Sequence, residues 1–165
     1  MNKEILVIDD NPDIRFLICK ILKEKSFNVR SAANYDQAVI EINKKLPDLA
    51  IIDIKLDKTD KDGIDILKSI IDKNKLVPVI MISGHASVQI AVEAIRLGAY
   101  EFIEKPFSTE KILNYVTRAL ESASLKKEKD IIENKLFHSF ELIGKSPSIM
   151  KIKKTIEKLS TSESR

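Results

Sequence analysis

Five short runs of apolar residues alternate with stretches of helical periodicity over the first 120 positions. The runs are Ile5–Ile8, Val29–Ala32, Leu49–Ile52, Val77–Ile82 and Tyr100–Ile103. Runs this short and this continuous are typical of strands that are buried on both faces of a parallel sheet. The pattern therefore predicts one sheet of five parallel strands.

Amphipathic segments separate these runs and predict five helices. The first begins at Pro12, a proline at the first helical position directly after the capping residue Asn11, and extends to about Lys25. The others are predicted over Tyr35–Lys45, Gly63–Asn74, Ala86–Leu97 and from Ser108 onward. Right-handed crossovers place helices on both faces of a parallel sheet, so we predict a doubly wound α/β fold of five βα units.

The composition changes after Leu120. Residues 121–138 are rich in lysine and glutamate and continue a helical pattern through Leu125, Ile132 and Leu136. Only two of these spacings fit a heptad, so the pattern favours a helical linker over a coiled coil. A last amphipathic helix is predicted after Pro147, and it is too short to form a core. We therefore expect a domain over residues 3–122, a linker over 123–140 and the start of a second domain over 141–165.

Composition excludes several classes of protein. Of the 165 residues 44% are hydrophobic, too many for a disordered chain, yet no apolar run approaches the roughly 18 residues of a membrane span. The N-terminus has no secretory signal, and the single Cys19 cannot form an intramolecular disulfide. These features exclude membrane, secreted and zinc-finger proteins. The net charge of +3 arises entirely after residue 120 and is too small to indicate nucleic-acid binding.

Residues with functional chemistry follow four of the five predicted strands. Asp9 and Asp10 follow the first, Asp53 the third, Ser83 the fourth and Lys105 the fifth. Parallel strands end at the same edge of a sheet, so three carboxylates, a hydroxyl and an ammonium should converge there. Clustered carboxylates repel one another unless a cation or protons compensate, and hard oxygen ligands suit Mg²⁺. The pattern predicts a magnesium site.

A carboxylate beside a metal ion and a lysine is a competent nucleophile toward a phosphoryl donor and would form an aspartyl phosphate. Each residue also has a simpler interpretation. Asp9 or Asp10 could merely cap the following helix, Asp53 could be a turn residue, and Lys105 could be a surface lysine. Their joint occurrence at the ends of four strands favours a functional site.

At these residues the chain resembles the receiver domain of two-component response regulators, with a CheY-like, flavodoxin-like fold. The segments that carry the resemblance are ILVIDDNPDIR, LAIIDI, VIMISGHA and YEFIEKPF, and it covers about residues 3–122. It implies that Asp53 is the phosphoacceptor. It also implies that Asp9, Asp10, Asp53 and the backbone carbonyl of Lys55 bind Mg²⁺, while Ser83 and Lys105 contact the phosphoryl group.

The resemblance further implies a conformational switch. Phe102 matches the aromatic switch position of the family, although a plain core aromatic is an equal alternative. On phosphorylation Ser83 would move toward the phosphate, Phe102 would turn inward, and the face of the fourth helix, fifth strand and fifth helix would be remodelled. Lys55 and His85 occupy positions that flank the phosphate and tune its hydrolysis in such domains.

One departure from the family pattern and one further similarity narrow the resemblance to a group within the family. Gly63 lies ten residues beyond Asp53, in a loop without proline that is similar to that of NtrX-type regulators of the NtrC group. The segment 141–165 resembles the start of the AAA+ domain of sigma-54-dependent activators. Gly144-Lys145-Ser146 is not a phosphate-binding loop, because position 139 is serine where that motif needs glycine and no strand precedes it.

The resemblance implies a set of partners. These are an NtrY-like sensor histidine kinase and a second copy of the chain, bound through the face of the fourth helix, fifth strand and fifth helix or through the linker helix. Contacts with DNA and sigma-54 RNA polymerase would be made only by other domains. The expected location is the bacterial cytoplasm.

Two other classes compete with a receiver. A haloacid-dehalogenase-type phosphatase also forms an aspartyl phosphate on a parallel sheet, but its nucleophile lies on the first strand. Here the nucleophile would lie on the third strand, and position 55 is lysine where that family supplies a general acid. The second alternative is an interaction module that works without phosphorylation, which would have no need for three convergent carboxylates.

Overall fold

A computed structural model describes residues 2–56, 62–84 and 87–139, with side chains through residue 133. The strands are β1 (Glu4–Ile8), β2 (Asn28–Ala32), β3 (Leu49–Asp53), β4 (Val79–Ser83) and β5 (Glu101–Glu104). The helices are α1 (Pro12–Glu24), α2 (Tyr35–Lys44), α3 (Gly63–Lys73), α4 (Val88–Arg96) and α5 (Thr109–Ser139). Strand and helix alternate as predicted.

All four strand pairings are parallel, in the order β2-β1-β3-β4-β5. The predicted fold class is confirmed. Among the strands, the largest difference in bounds concerns β4, which begins at Val79, two residues later than predicted. Pro78 explains this, since proline has no N–H to donate to a neighbouring strand, and its carbonyl instead accepts a hydrogen bond from Ala50 at 3.1 Å.

Alternate residues of the strands supply two hydrophobic clusters, one on each face of the sheet. Leu6, for example, belongs to the cluster that includes residues of α2, α3 and α4, whereas its neighbour Val7 belongs to the cluster with α1 and α5. Every residue of β3 and β4 is buried. Their continuous apolar sequences therefore reflect burial on both faces, as the sequence pattern predicted.

The chain separates into two units, one over residues 1–126 and the other over residues 127–165. In the second unit the structure describes residues 127–139, which are helical. The side chain of Leu136 and the segment 141–165, about which the sequence made predictions, lie outside the described part of the chain. No helix in the described part of the chain is long and apolar enough to cross a membrane.

Candidate functional site

The order of the strands places four strand ends side by side at the carboxyl edge of the sheet, since β1, β3, β4 and β5 are consecutive neighbours. Asp9 follows β1 directly, Asp53 and Ser83 are the last residues of β3 and β4, and Lys105 follows β5. The N–H of Lys105 donates to the carbonyl of Ser83 at 2.8 Å, so β4 and β5 stay paired up to the site.

The three aspartates form one acidic cluster. Asp9, Asp10 and Asp53 each offer a carboxylate oxygen, and these oxygens lie within 4.8 Å of one another. Asp9 and Asp53 are buried, with 1% and 6% of their surface exposed, while Asp10 is partly exposed. Carboxylates this close and this poorly hydrated require compensating positive charge.

Lys105 supplies part of that charge. Its Nζ lies 2.9 Å from Asp9 Oδ2 and 2.5 Å from Asp53 Oδ2, and 15% of its side chain is exposed. Burial acts to lower the pKa of Lys105, but the hydrogen bonds that it donates to Asp53 and Asp9 raise it above the ordinary value. The ammonium therefore stays protonated and bridges two of the three carboxylates.

The remaining carboxylate oxygens differ in how they are held. Asp9 Oδ1 accepts a hydrogen bond from the N–H of Asn11 at 2.9 Å, and Asp53 Oδ1 accepts one from the N–H of Lys55 at 3.3 Å. The side chain of Asp10 makes no hydrogen bond or ion pair with any described residue. Lys105 thus contacts two of the three clustered carboxylates, and the carboxylate of Asp10 is available to an additional cation.

Burial raises the pKa of the Asp53 carboxyl above its ordinary value, although the hydrogen bond from Lys105 acts in the opposite direction. The folded chain therefore holds this proton more tightly than the unfolded chain does. Ionisation of Asp53 destabilises the fold, and this loss of stability develops as the pH rises from the ordinary pKa of 3.8 through the raised pKa.

Asp53→Asn is accordingly expected to raise the thermal unfolding temperature by a few degrees at pH 7 without Mg²⁺, because it removes a buried negative charge. The difference from wild type should shrink as the pH falls through the raised pKa toward 3.8. Asp72→Asn, at an exposed position of α3, is the matched control and should change little. A lower unfolding temperature for Asp53→Asn at pH 7 would contradict this view of the site.

The two predicted switch residues lie on neighbouring strands. Ser83 is buried, with 2% exposure, at the end of β4. Phe102 is half-buried on β5, where it packs against the hydrophobic cluster on the α2, α3 and α4 face. His85 lies outside the described residues. Among the described residues, the structure therefore brings Asp9, Asp10, Asp53 and Lys105 into one group. Ser83 adjoins this group, because its carbonyl accepts a hydrogen bond from the N–H of Lys105.

The start of α3 is held unusually close to Asp53, a contact that sequence patterns did not reveal. Asp62 and Asp65 form a capping box, and the N–H of Gly63 donates to the carbonyl of Ile54 at 2.8 Å. A Cβ at position 63 would overlap the carbonyl oxygen of Asp53. The only signal in the sequence was a glycine at a predicted helix start.

Gly63→Ala is expected to lower the free energy of unfolding by about 2 kcal/mol, because backbone atoms on both sides of the overlap have little room to move. Gly84→Ala is a matched control, since its Cβ would meet only the side chain of Lys105 at 3.9 Å. Urea denaturation of both variants measures the difference. Equal stabilities would show that α3 does not press on Asp53.

The five parallel strands have the order of a CheY-like receiver fold, and the acidic cluster with its bridging lysine lies at the carboxyl edge of that sheet. The family described as "Response regulator receiver domain" matches residues 5–117, and the chain belongs to it. Members are signalling domains of two-component response regulators. The predicted family and fold are thereby confirmed.

Particular relatives narrow the group to NtrX-like regulators. The receiver domain of NtrX from Brucella abortus is 44% identical, with a TM-score of 0.68, over 71% of this chain and 98% of that one. A putative NtrX-like response regulator from Rickettsia bellii is 41% identical over 162 residues, which are 98% of this chain and 34% of that protein. The nitrogen assimilation regulatory protein NtrX of Azorhizobium caulinodans is 36% identical over all of this chain and 36% of its own length. The chain thus spans about a third of the length of the curated relatives it matches.

Proposed function

We propose that this chain accepts a phosphoryl group on Asp53 from an NtrY-like sensor histidine kinase and thereby controls an output domain in sigma-54-dependent transcription. One observation carries the proposal. The carboxylates of Asp9, Asp10 and Asp53 converge within 4.8 Å, and Lys105 contacts two of them. A structural role alone gives no reason to gather three carboxylates at the edge of the sheet when one lysine contacts only two of them.

The donor set fits Mg²⁺, which prefers hard oxygen ligands and usually takes one or two carboxylates, several waters and a substrate phosphate. Asp9, Asp10 and Asp53 would hold it, and we assign the fourth protein ligand to the backbone carbonyl of Lys55. The open carboxylate of Asp10 supports this fit. Bound Mg²⁺ would neutralise negative charge on the carboxylates and on the incoming phosphoryl oxygens.

The residues divide the transfer between them. An oxygen of Asp53 attacks the phosphorus of the phosphohistidine, an oxygen–phosphorus bond forms, and the phosphorus–nitrogen bond breaks with its electron pair returning to the imidazole. Lys105, already beside Asp53, is placed to bind a phosphoryl oxygen. Ser83, at the end of the neighbouring strand, would donate a hydrogen bond to another.

The switch follows from the same contacts. We propose that Ser83 moves toward the phosphoryl group and that Phe102 turns further inward, which changes the face formed by α4, β5 and α5. Phe102 is half-buried, so it can still gain buried area. This face already carries exposed apolar side chains on α4, namely Val88, Val92 and Ile95.

We propose a homodimer formed through this face or through the linker helix, where Leu125 and Ile132 are also exposed. Contacts with DNA and sigma-54 polymerase are assigned to other domains, and the location to the bacterial cytoplasm. Equilibrium sedimentation of residues 1–165 and 1–122 tests the linker contribution. A monomer in both cases, with and without beryllofluoride, would contradict the dimer.

Incubation with acetyl phosphate tests the proposed function against its competitors. With Mg²⁺ we expect one phosphoryl group per chain that hydroxylamine removes, as an acyl phosphate requires, and none with a chelator. Rapid, repeated hydrolysis of simple phosphate esters would indicate a phosphatase of the haloacid-dehalogenase type. No phosphorylation and no response to beryllofluoride would indicate an interaction module that works without phosphate.

A further inference from the structure

Arg15, the fourth residue of α1, reaches back to the loop that carries two of the three carboxylates. Its Nη1 donates to the carbonyl oxygen of Asp9 at 2.5 Å and to that of Asp10 at 3.3 Å. The side chain is half-buried. One cationic group thus contacts two successive peptide carbonyls at the point where the chain leaves the sheet.

These carbonyls lie beyond the hydrogen bonds of the sheet. The N–H of Asp9 donates to Ala32 at 3.3 Å, the last hydrogen bond between the β1 and β2 sides at this edge. In the described part of the chain no backbone N–H donates to the carbonyl of Asp9 or Asp10. A carbonyl without a donor is costly in a partly buried loop, and the guanidinium satisfies both.

Contact with Arg15 also orients the acidic side chains. A hydrogen bond to a carbonyl restrains the plane of its peptide. The two peptides contacted here lie on either side of the Asp10 Cα, so together they determine the direction of its Cα–Cβ bond, and the first of them also adjoins the Cα of Asp9. The Asp9 carboxylate has further restraints in Lys105 and Asn11. For Asp10 the carbonyl contact from Arg15 is the one hydrogen bond in the described part of the chain.

We propose, on the basis of the proposed Mg²⁺ site, that Arg15 is a positioning residue that holds Asp9 and Asp10 so that their carboxylates converge with Asp53 on the cation. It acts through the backbone and touches neither the metal nor the phosphoryl group. Residues that orient metal ligands in this way commonly contribute a factor of about 10 to 100 in metal affinity.

Isothermal titration of the full chain with Mg²⁺ alone tests this role. Arg15→Gln is expected to raise the Mg²⁺ dissociation constant about tenfold. Arg15→Lys should raise it about threefold, because an ammonium can contact one of the two carbonyls but lacks the planar fork of donors. Arg118→Gln, at an exposed position of α5, is the matched control and should bind as wild type does.

An unchanged dissociation constant in Arg15→Gln overturns the positioning role, even if the unfolding temperature falls, because that combination describes a merely structural contact. If Arg15→Gln does not fold, the threefold change expected for Arg15→Lys decides, and an unchanged value overturns the role. A wild type that binds no Mg²⁺ contradicts the proposed function together with this role. A wild type that binds and variants that bind equally contradict the role of Arg15 alone.

Discussion

Lys105→Met is expected to lower the free energy of unfolding by about 3 kcal/mol without Mg²⁺, because removing one partner of a buried ion pair leaves the other charge uncompensated. Here two carboxylates lose their cation at once. Lys105 contacts both Asp9 and Asp53, and all three side chains are largely buried. Methionine keeps much of the length and apolar stem of lysine, so the variant tests the charge more than the packing.

Lys111→Met provides the matched control, since Lys111 lies exposed on α5 and makes no ion pair with a described residue. Urea denaturation of both variants should separate them clearly. Saturating Mg²⁺ should recover most of the loss in Lys105→Met, because a divalent cation neutralises the same carboxylates. A stability equal to that of Lys111→Met, with or without Mg²⁺, would show that the bridge contributes nothing.

Asp10→Asn is expected to differ from Lys105→Met, with little effect on the free energy of unfolding and a large effect on the affinity for Mg²⁺. Its carboxylate makes no hydrogen bond or ion pair with a described residue, so the metal-free fold loses nothing and sheds some repulsion. Affinity for Mg²⁺ should fall about 100-fold. Loss of a residue that only supports a metal ligand costs about 10- to 100-fold in metal affinity, and here a charged ligand itself is removed.

Titration calorimetry measures this affinity, and the Mg²⁺ concentration needed for half-maximal phosphorylation should rise in parallel. Asp13→Asn is the matched control. It lies exposed three residues further on, in the first turn of α1, and is not part of the acidic cluster. If Asp10→Asn bound Mg²⁺ as tightly as Asp13→Asn does, Asp10 would not be a ligand.

Sequence patterns predicted the fold and the convergence of the site because both depend on local signals. A buried parallel strand is recognisable from its apolar run, and parallel strands necessarily end at one edge. The sequence alone therefore predicts that Asp9, Asp53 and Lys105 lie in one cleft. The position of Asp53 at the end of a run, and of Lys105 before Pro106, carried that assignment.

The remaining features depend on contacts between distant parts of the chain or on side-chain direction. Nothing in the spacing of Gly63 shows that α3 approaches the carbonyl of Asp53, because loop geometry determines that distance. In the sequence, Arg15 looks like any polar residue on an amphipathic helix. Its contact with Asp9 and Asp10 depends on the side chain pointing toward the N-terminus of α1, where these residues lie. The bridge from Lys105 to two carboxylates likewise depends on side-chain direction, which the sequence pattern does not determine.

Phosphorylation of Asp53 is the central claim, and the intact mass of the chain after incubation with acetyl phosphate and Mg²⁺ tests it most directly. Wild type and Asp72→Asn should each gain the mass of one phosphoryl group. Asp53→Asn should gain none, and a chelator should prevent the gain in wild type and in Asp72→Asn. An equal gain in Asp53→Asn would contradict the assignment of the acceptor, and no gain in any of them, together with no response to beryllofluoride, would contradict the receiver mechanism proposed for this chain.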